Sequence, residues 1–418
     1  MTAFQSADIL LPKNQPMEKW ACIACDQFTS QPEYWQDVEK ITEGEKSAYD
    51  LILPEAYLED NNLEDRINKI HENMESYINE GVFEEYKDAL IYVERLQTDG
   101  KIRAGIIGKI DLEKYDYRKG SDSLVRATEQ TVVERIPPRV KIRNGAALEL
   151  PHIMILIDDT EKSIIEPLEN QKSDMTKVYY FELMKNSGKI SGYILNSQQQ
   201  NAVFSGLERL GDLDSFNSKY GLNEKSPLVY AMGDGNHSLA TAKEYYEMLK
   251  RENPEKDLSS HPARYALVEI VNLHSPALEF EAIHRVVTEI DKADLMTEMT
   301  DKLALSKEKS DQKIIVTEQG KETELYIHNP QSKLTVGSLQ QFLDQYIKEK
   351  GGKVDYIHGT DVVKELSQQD NTLGFLLPDM SKDQLFPTVI CDGALPRKTF
   401  SMGHAADKRF YIEARKIK

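Results

Sequence analysis

The sequence predicts a mixed α/β fold, with multi-element mixed sheets and flanking helices. Apolar residues recur at helical spacing in some segments and form short β-prone runs in others. The two kinds of segment alternate along the chain. Glycines and prolines stand where one element should give way to the next. A chain of 418 residues has room for about two or three domains. The expected boundary lies near residue 190, separating an N-terminal α/β part (1–190) from a C-terminal α/β part (191–418).

Ile67, Ile70, Met74 and Ile78 share one helical face, and Gly81 stands where a C-cap belongs. Residues 89–96 form a strand, and Thr98-Asp99-Gly100 turns it into a second strand from Ile102. His152 to Asp158 is an apolar run bounded by Pro151 and is expected to be a buried strand. Val178–Phe181 and Gly192–Leu195 are short strands, and Ser197–Leu210 is a helix stopped by Gly211. Pro227–Met232 is a strand leading into a glycine turn, and Leu239–Arg251 is a helix that Pro254 terminates. Tyr265–Val271 is another buried strand. In the last third, Ala293–Leu305 is helical, and residues 313–317 and 324–328 pair around Gln319-Gly320. Leu339–Lys350 is a helix ending at Gly351-Gly352, and short β-α-β elements run on to residue 378.

Hydrophobic residues make up 40% and charged residues 29%, and the net charge is −18. Such a charge repels nucleic-acid phosphates and anionic membranes, and no Lys/Arg cluster with interleaved aromatics offsets it. No apolar run reaches the ~20 residues that cross a bilayer, and residues 1–12 lack the pattern of a signal peptide. Three cysteines, Cys22, Cys25 and Cys391, are too few for a disulfide framework. A cytoplasmic protein without disulfides is expected. Cys22-x-x-Cys25 lacks the further ligands a zinc site needs. His71 lies between core positions of its helix and is expected to face solvent. His261 belongs to a turn. His404 lies in a possible second glycine turn.

The segment most informative about chemistry is Met232-Gly233-Asp234-Gly235-Asn236-His237-Ser238, where a strand ends and a helix opens. The first amides of a helix have no intrahelical partner, and the macrodipole adds positive potential there. Gly233 and Gly235 let backbone approach an anion closely. Asn236 or Ser238 suits a helix cap. Asp234 suits a metal ion or a proton, and His237 suits general acid–base work near neutral pH. The same pattern also fits a plain tight turn with a capping Asn. It is neither a Walker loop nor Gly-x-Gly-x-x-Gly.

Other residues read two ways. Asp26 follows an apolar run, as a site carboxylate or a turn-forming Asp does. Glu129 suits a general base, a Mg²⁺ ligand or a helix-start carboxylate. His284-Arg285 follows a strand and suits phosphate or a salt-bridged strand end. Arg397-Lys398 is a basic turn in an acidic chain, either a focus for an anionic substrate or a solvated loop. No Gly-x-Ser-x-Gly elbow supports a serine hydrolase.

Ala231-Met-Gly-Asp-Gly-Asn-His-Ser-Leu-Ala-Thr-Ala resembles the Ala-Asp-Gly-His-His-Arg…Thr-Ala signature of the domain-of-unknown-function family 1015 (DUF1015). Cys22-Ile-Ala-Cys-Asp-Gln-Phe, Arg126-Ala-Thr-Glu-Gln-Thr, Leu278-Glu-Phe-Glu-Ala-Ile-His-Arg and Gly393-Ala-Leu-Pro-Arg-Lys-Thr-Phe resemble further segments of that family, in order. The family turn in turn resembles the phosphate-binding turn of the ParB/sulfiredoxin-like fold, which includes a free serine kinase. The resemblance implies a nucleotide (ATP or ADP) or a small phosphorylated metabolite as ligand. It departs where the family has His-His-Arg and this chain has Asn236-His237-Ser238, which removes one imidazole and one guanidinium. Arg126, Arg285, Arg397 and Lys398 are the replacements to consider.

The expected function is phosphoryl transfer or removal on a small polar metabolite, serine or phosphoserine first, by a small-molecule kinase or phosphatase. In this reading Gly233, Gly235, Asn236 and Ser238 hold phosphate. Asp234 and Glu129 hold Mg²⁺ or act as base, and His237 exchanges a proton. His284, Arg285, Arg397 and Lys398 neutralise charge. The rivals are a nucleotide- or metabolite-binding regulator without turnover and a metal-dependent hydrolase.

Overall fold

The computed structural model describes residues 2–29, 31–129 and 136–418. It is a mixed α/β protein of two compact units. Unit 1 comprises 1–127, 131–278 and 404–418, and unit 2 comprises 128–130 and 279–403. The boundary expected near residue 190 falls inside a strand of unit 1. Lys189–Ile194 pairs antiparallel with Thr176–Glu182 on one side and with Ile91–Leu96 on the other.

Unit 1 is built on a ten-stranded mixed sheet. Thr176–Glu182 lies at one edge, followed by Lys189–Ile194, Ile91–Leu96, Ile102–Asp111 and Tyr265–Asn272. Met154–Ile157, Tyr230–Asp234, Val125–Arg126 and Tyr115–Asp116 complete the row, and Phe4–Gln5 pairs with Ile102–Asp111. Met154–Ile157 runs parallel to Tyr265–Asn272 and antiparallel to Tyr230–Asp234. Its four residues are all buried, as expected of a strand covered on both faces. The helix Asn236–Glu252 buries Leu239, Ala242, Tyr245 and Tyr246 on one stripe, the spacing of a core-facing helix.

The last fifteen residues return to unit 1. Phe410–Tyr411 pairs with Cys22–Ile23, and Arg415–Lys416 pairs with Leu148–Glu149. Buried charges hold this segment. Arg409 contacts Glu269 at 2.7 Å and Glu413 at 2.5 Å. Arg95, fully buried, donates to the carbonyls of Ala406 and Lys408.

Unit 2 is built on a seven-stranded sheet in which Phe280–Thr288 lies next to the edge strand Lys353–His358. It pairs antiparallel with Lys353–His358, Leu373–Leu376 and Phe400–Met402. The hairpin Gln312–Glu318 and Lys321–Ile327 turns at Gln319 (φ 45°) and Gly320 (φ 80°). Two consecutive positive φ values match the twist of a two-residue hairpin.

Many expected elements form where the pattern puts them. Ser197–Leu210 is a helix between an Asn196/Gln199 capping box and Gly211. The helix carrying Ile67, Ile70 and Met74 spans Leu63–Asn79, and Gly81 follows at φ 69°. The run 89–96 is broken, because Phe83–Ala89 pairs with Ala7–Pro12 and only Ile91–Leu96 joins the large sheet. The helix after the glycine turn begins at Asn236, three residues before its first expected position. His71 does not simply face solvent. It is half-buried, with Nε2 2.8 Å from the Ile142 carbonyl oxygen. His261 forms the expected turn, accepting from the Ala263 amide. Among the described residues no helix is long and apolar enough to cross a membrane.

Candidate functional site

The glycine turn sits where Tyr230–Asp234 passes into Asn236–Glu252. The two glycines do different work. Met154 pairs with Asp234 but Ile155 pairs with Met232, so Gly233 is the extra residue of a β-bulge. A bulge bends the strand and re-aims its last side chain, here Asp234. Gly235 adopts φ 78°, ψ 30° and is the N-cap of the helix. A Cβ there would lie 3.1 Å from Ile153 Cα, so both conformation and space call for glycine.

No side chain among the described residues caps that helix. Asn236 does not fill the capping role, and its Oδ1 is buried without a hydrogen-bond partner among the described residues. Asp234 Oδ1 accepts from the Gly235 amide at 2.9 Å, and Oδ2 lies 3.1 Å from Lys408 Nζ. His237 is half-buried on the first helical turn.

A second histidine, His152, organises the surroundings of the turn. It is 4% exposed and immediately precedes Ile153 and the strand Met154–Ile157. Its Nδ1 lies 2.6 Å from Tyr411 Oη, and the two rings meet edge to face. Its Nε2 lies 3.3 Å from Ser238 Oγ and 3.5 Å from Asp26 Oδ2. Tyr411 Oη also accepts from the Cys25 amide at 3.2 Å. This is not a nucleophilic triad. In a triad the base faces serine with one ring nitrogen and carboxylate with the other. Here Ser238 and Asp26 face the same nitrogen.

The electrostatics of the pair are mutual. Burial disfavours the His152 cation, but the Asp26 carboxylate, aided by Asp234 and Glu55, outweighs burial and raises its proton affinity. Burial alone would raise the Asp26 carboxyl. His152, Gln27 and Lys408 instead hold it well below the usual carboxylate range. Both shifts run in the direction that favours an imidazolium–carboxylate pair. Burial also pushes the Cys22 and Cys25 thiols up, which works against a thiolate role.

Glu129, His284, Arg285, Arg397 and Lys398 belong to unit 2. Arg285 is fully buried. It donates to Gln340 Oε1 (2.7 Å) and to the carbonyls of Ile283 (2.5 Å), Arg397 (3.1 Å) and Lys398 (3.0 Å). Burial lowers its guanidinium to about 10, still charged at neutral pH. Its donors are committed to protein oxygens, so it pins the 397–398 turn. Arg397 is exposed and pairs with Asp344 at 2.6 Å. Lys398 is exposed at φ 54°. His284 is buried and accepts from the Leu377 amide, and burial lowers its proton affinity. Glu129 is half-buried and bridges to Leu395. Arg126, in unit 1, donates to the carbonyls of Ser123 and Ser226.

The sequence reading missed His152, Lys408 and Tyr411. From the sequence His152 reads as the first residue of a strand. Its one local signal is an imidazole just before a continuously apolar run. Lys408 and Tyr411 carry no local signal, because the return of the chain terminus places them.

Among the described residues no three His, Cys, Asp or Glu side chains form a metal-holding group. Asp234 has one oxygen on Lys408 and the other on an amide. A divalent ion would have to displace the lysine, so this donor set fits a lysine-neutralised anion better than Mg²⁺.

The family model described as a protein of unknown function, DUF1015, matches residues 8–346. No curated protein sequence matches the chain. A conserved hypothetical protein from Pyrococcus furiosus is similar at 10% identity and TM-score 0.36, over 75% of this chain and 95% of its own. A mutant free serine kinase in complex with AMP is similar at 10% identity and TM-score 0.39, over 75% and 91%. SbnI with a C-terminal truncation, from Staphylococcus aureus, is similar at 10% and 0.35, over 71% and 82%. Likenesses this slight carry no argument about fold or function.

Proposed function

The chain belongs to DUF1015, a family of proteins of unknown function, and we propose that it transfers or removes a phosphoryl group on a small polar metabolite, with the phosphate seated at the Gly233–Ser238 turn. One observation carries the reading. A seventeen-residue helix opens from left-handed Gly235 without a capping side chain, beside two cations, Lys408 on Asp234 and His152 on Ser238. Uncapped amides and nearby cations are what a phosphate requires. Ser238 stands in place of the family arginine, and the His152 imidazolium supplies the positive charge that the arginine would have brought. His237 and Asp234 are the groups the turn offers for proton exchange. Phosphoryl transfer depends more on positioning and charge neutralisation than on a strong base. That fits the low proton affinity of Asp26, which orients His152.

The test is ³¹P NMR of the full chain with ATP or ADP and a panel of hydroxyl metabolites beginning with serine, and with phosphoserine alone. A phosphorylated product, or release of phosphate, is expected. His152→Gln, Asp234→Asn and His237→Ala should each lower the rate about 10²–10⁴-fold, measured at a temperature where each variant keeps a cooperative folded state. Wild-type rates in all three variants, or no reaction across the panel, would reject the proposal. A nucleotide- or metabolite-binding regulator is the second reading. It is favoured by both carboxylates, Asp26 and Asp234, being already ion-paired. Thermal stabilisation by nucleotide without product would select it.

A further inference from the structure

Beside the turn, unit 1 contains a cavity of about 160 Å³. One end is polar, formed by His152, Ser238 and Thr241. Ser238 and Thr241 lie three residues apart on the same helix and so share a face. Thr241 is 5% exposed, and its Oγ1 has no hydrogen-bond partner among the described residues. Leu53, Leu58, Met74, Ile142, Leu148 and Leu150 line it, and the charged residues on its wall are paired with one another, Arg139 with Glu55 and Arg143 with Glu149. A buried hydroxyl left unpaired costs free energy that a ligand polar atom would recover. An apolar cavity of about 150 Å³ is large enough to hold benzene. Serine has no group to occupy such a space.

We propose that this cavity holds a compact apolar arm of the phosphorylated metabolite, branched aliphatic or phenyl in size, while a polar atom of the same molecule meets Thr241. The proposal rests on the phosphate reading of the turn. The polar end is formed by Ser238 on the first helical turn, so the group in the cavity adjoins the phosphoryl position directly. A nucleobase would stand a ribose away from its phosphates, whereas the group in this cavity adjoins the phosphoryl position.

Isothermal titration of the full chain compares inorganic phosphate, benzyl phosphate, benzyl alcohol and AMP. Benzyl phosphate should bind roughly ten- to a hundredfold tighter than inorganic phosphate, the gain expected from burying a side chain of that size. Ala146 lines the cavity, so Ala146→Phe should remove that advantage and leave phosphate affinity unchanged. If Ala146→Phe shows no cooperative unfolding transition, Ala146→Leu makes the same test with a smaller fill. Equal affinity of the two phosphates in the wild type, or a preference that survives the filled cavity, overturns the apolar arm but keeps the phosphate site. Failure of both phosphates while benzyl alcohol still binds removes the phosphate site and keeps the apolar cavity. An AMP advantage that disappears in the filled variant assigns the space to a base and overturns the proposal.

Discussion

Asp26 and His152 shift each other's proton affinity in opposite directions, and this fixes the pH at which they stabilise the protein. His152 is raised in the folded chain. Its contribution is complete below the ordinary imidazole value of about 6.5 and is lost as pH rises through the higher folded value. Asp26 is lowered. Its contribution is complete above about 3.9 and is lost as pH falls through the lower folded value. The pair therefore stabilises most between about pH 4 and 6.5. In Asp26→Asn, burial acts on His152 without its counterion, and the decline above pH 6.5 should vanish. Unfolding midpoints from pH 5 to 9 for both proteins check this, and parallel curves would count against the pairing. Gly235 makes a simpler case at the same scale. Gly235→Ala should cost about 1–2 kcal/mol for the left-handed backbone, and somewhat more because Ile153 must yield. Urea denaturation measures it.

At the scale of elements, the helix Asn236–Glu252 and the strand Phe280–Thr288 show what local pattern does and does not reveal. The apolar stripe of the helix was legible from Leu239 onward, but its true start was not. Asn236, His237 and Ser238 are polar and carry no stripe, and the helix begins there because Gly235 turns the chain. His284-Arg285 is expected just after a strand but lies inside one, Phe280–Thr288, and nothing local tells whether the guanidinium meets a ligand or protein carbonyls. The fold answers with Gln340 Oε1 and four backbone carbonyls. Arg285→Met should destabilise unit 2 by about 2–4 kcal/mol, because several buried acceptors lose a charged donor. Denaturation followed by hydrogen exchange in residues 279–403 reads this out. Exchange unchanged from wild type would show that the bonds are dispensable.

For the molecule as a whole, the decisive feature is the return of residues 404–418 to unit 1. That segment adds strands beside Cys22–Ile23 and Leu148–Glu149 and brings Lys408 to Asp234 and Tyr411 to His152. It is held by Arg409, whose removal would leave Glu413 buried without that counterion and Glu269 with Arg103 as its remaining ion-pair partner. Arg409→Gln should cost about 3–5 kcal/mol, a large part of the roughly 5–15 kcal/mol that stabilises a typical domain. Chemical denaturation tests it, and a loss below about 1 kcal/mol would show that the network is not what holds the terminus. This closure also explains the failed boundary near residue 190. Unit 1 is assembled from three chain segments, so no single cut in the sequence separates it.

Local pattern along the chain was enough for the mixed α/β class, for the helices near 67–78, 197–210, 239–251, 293–305 and 339–350, for the hairpin at 319–320 and for the strand–turn–helix at Gly233–Ser238. Those depend on side-chain periodicity, capping and positive-φ glycines, all of which act within a few residues. Which charges meet follows from packing in three dimensions. It joined Asp26, His152, Ser238, Lys408 and Tyr411, drawn from four distant stretches of chain, and it bound Arg285 to backbone oxygens. Ion pairs and burial depend on distance in space, and the spacing of residues along the chain does not encode that distance.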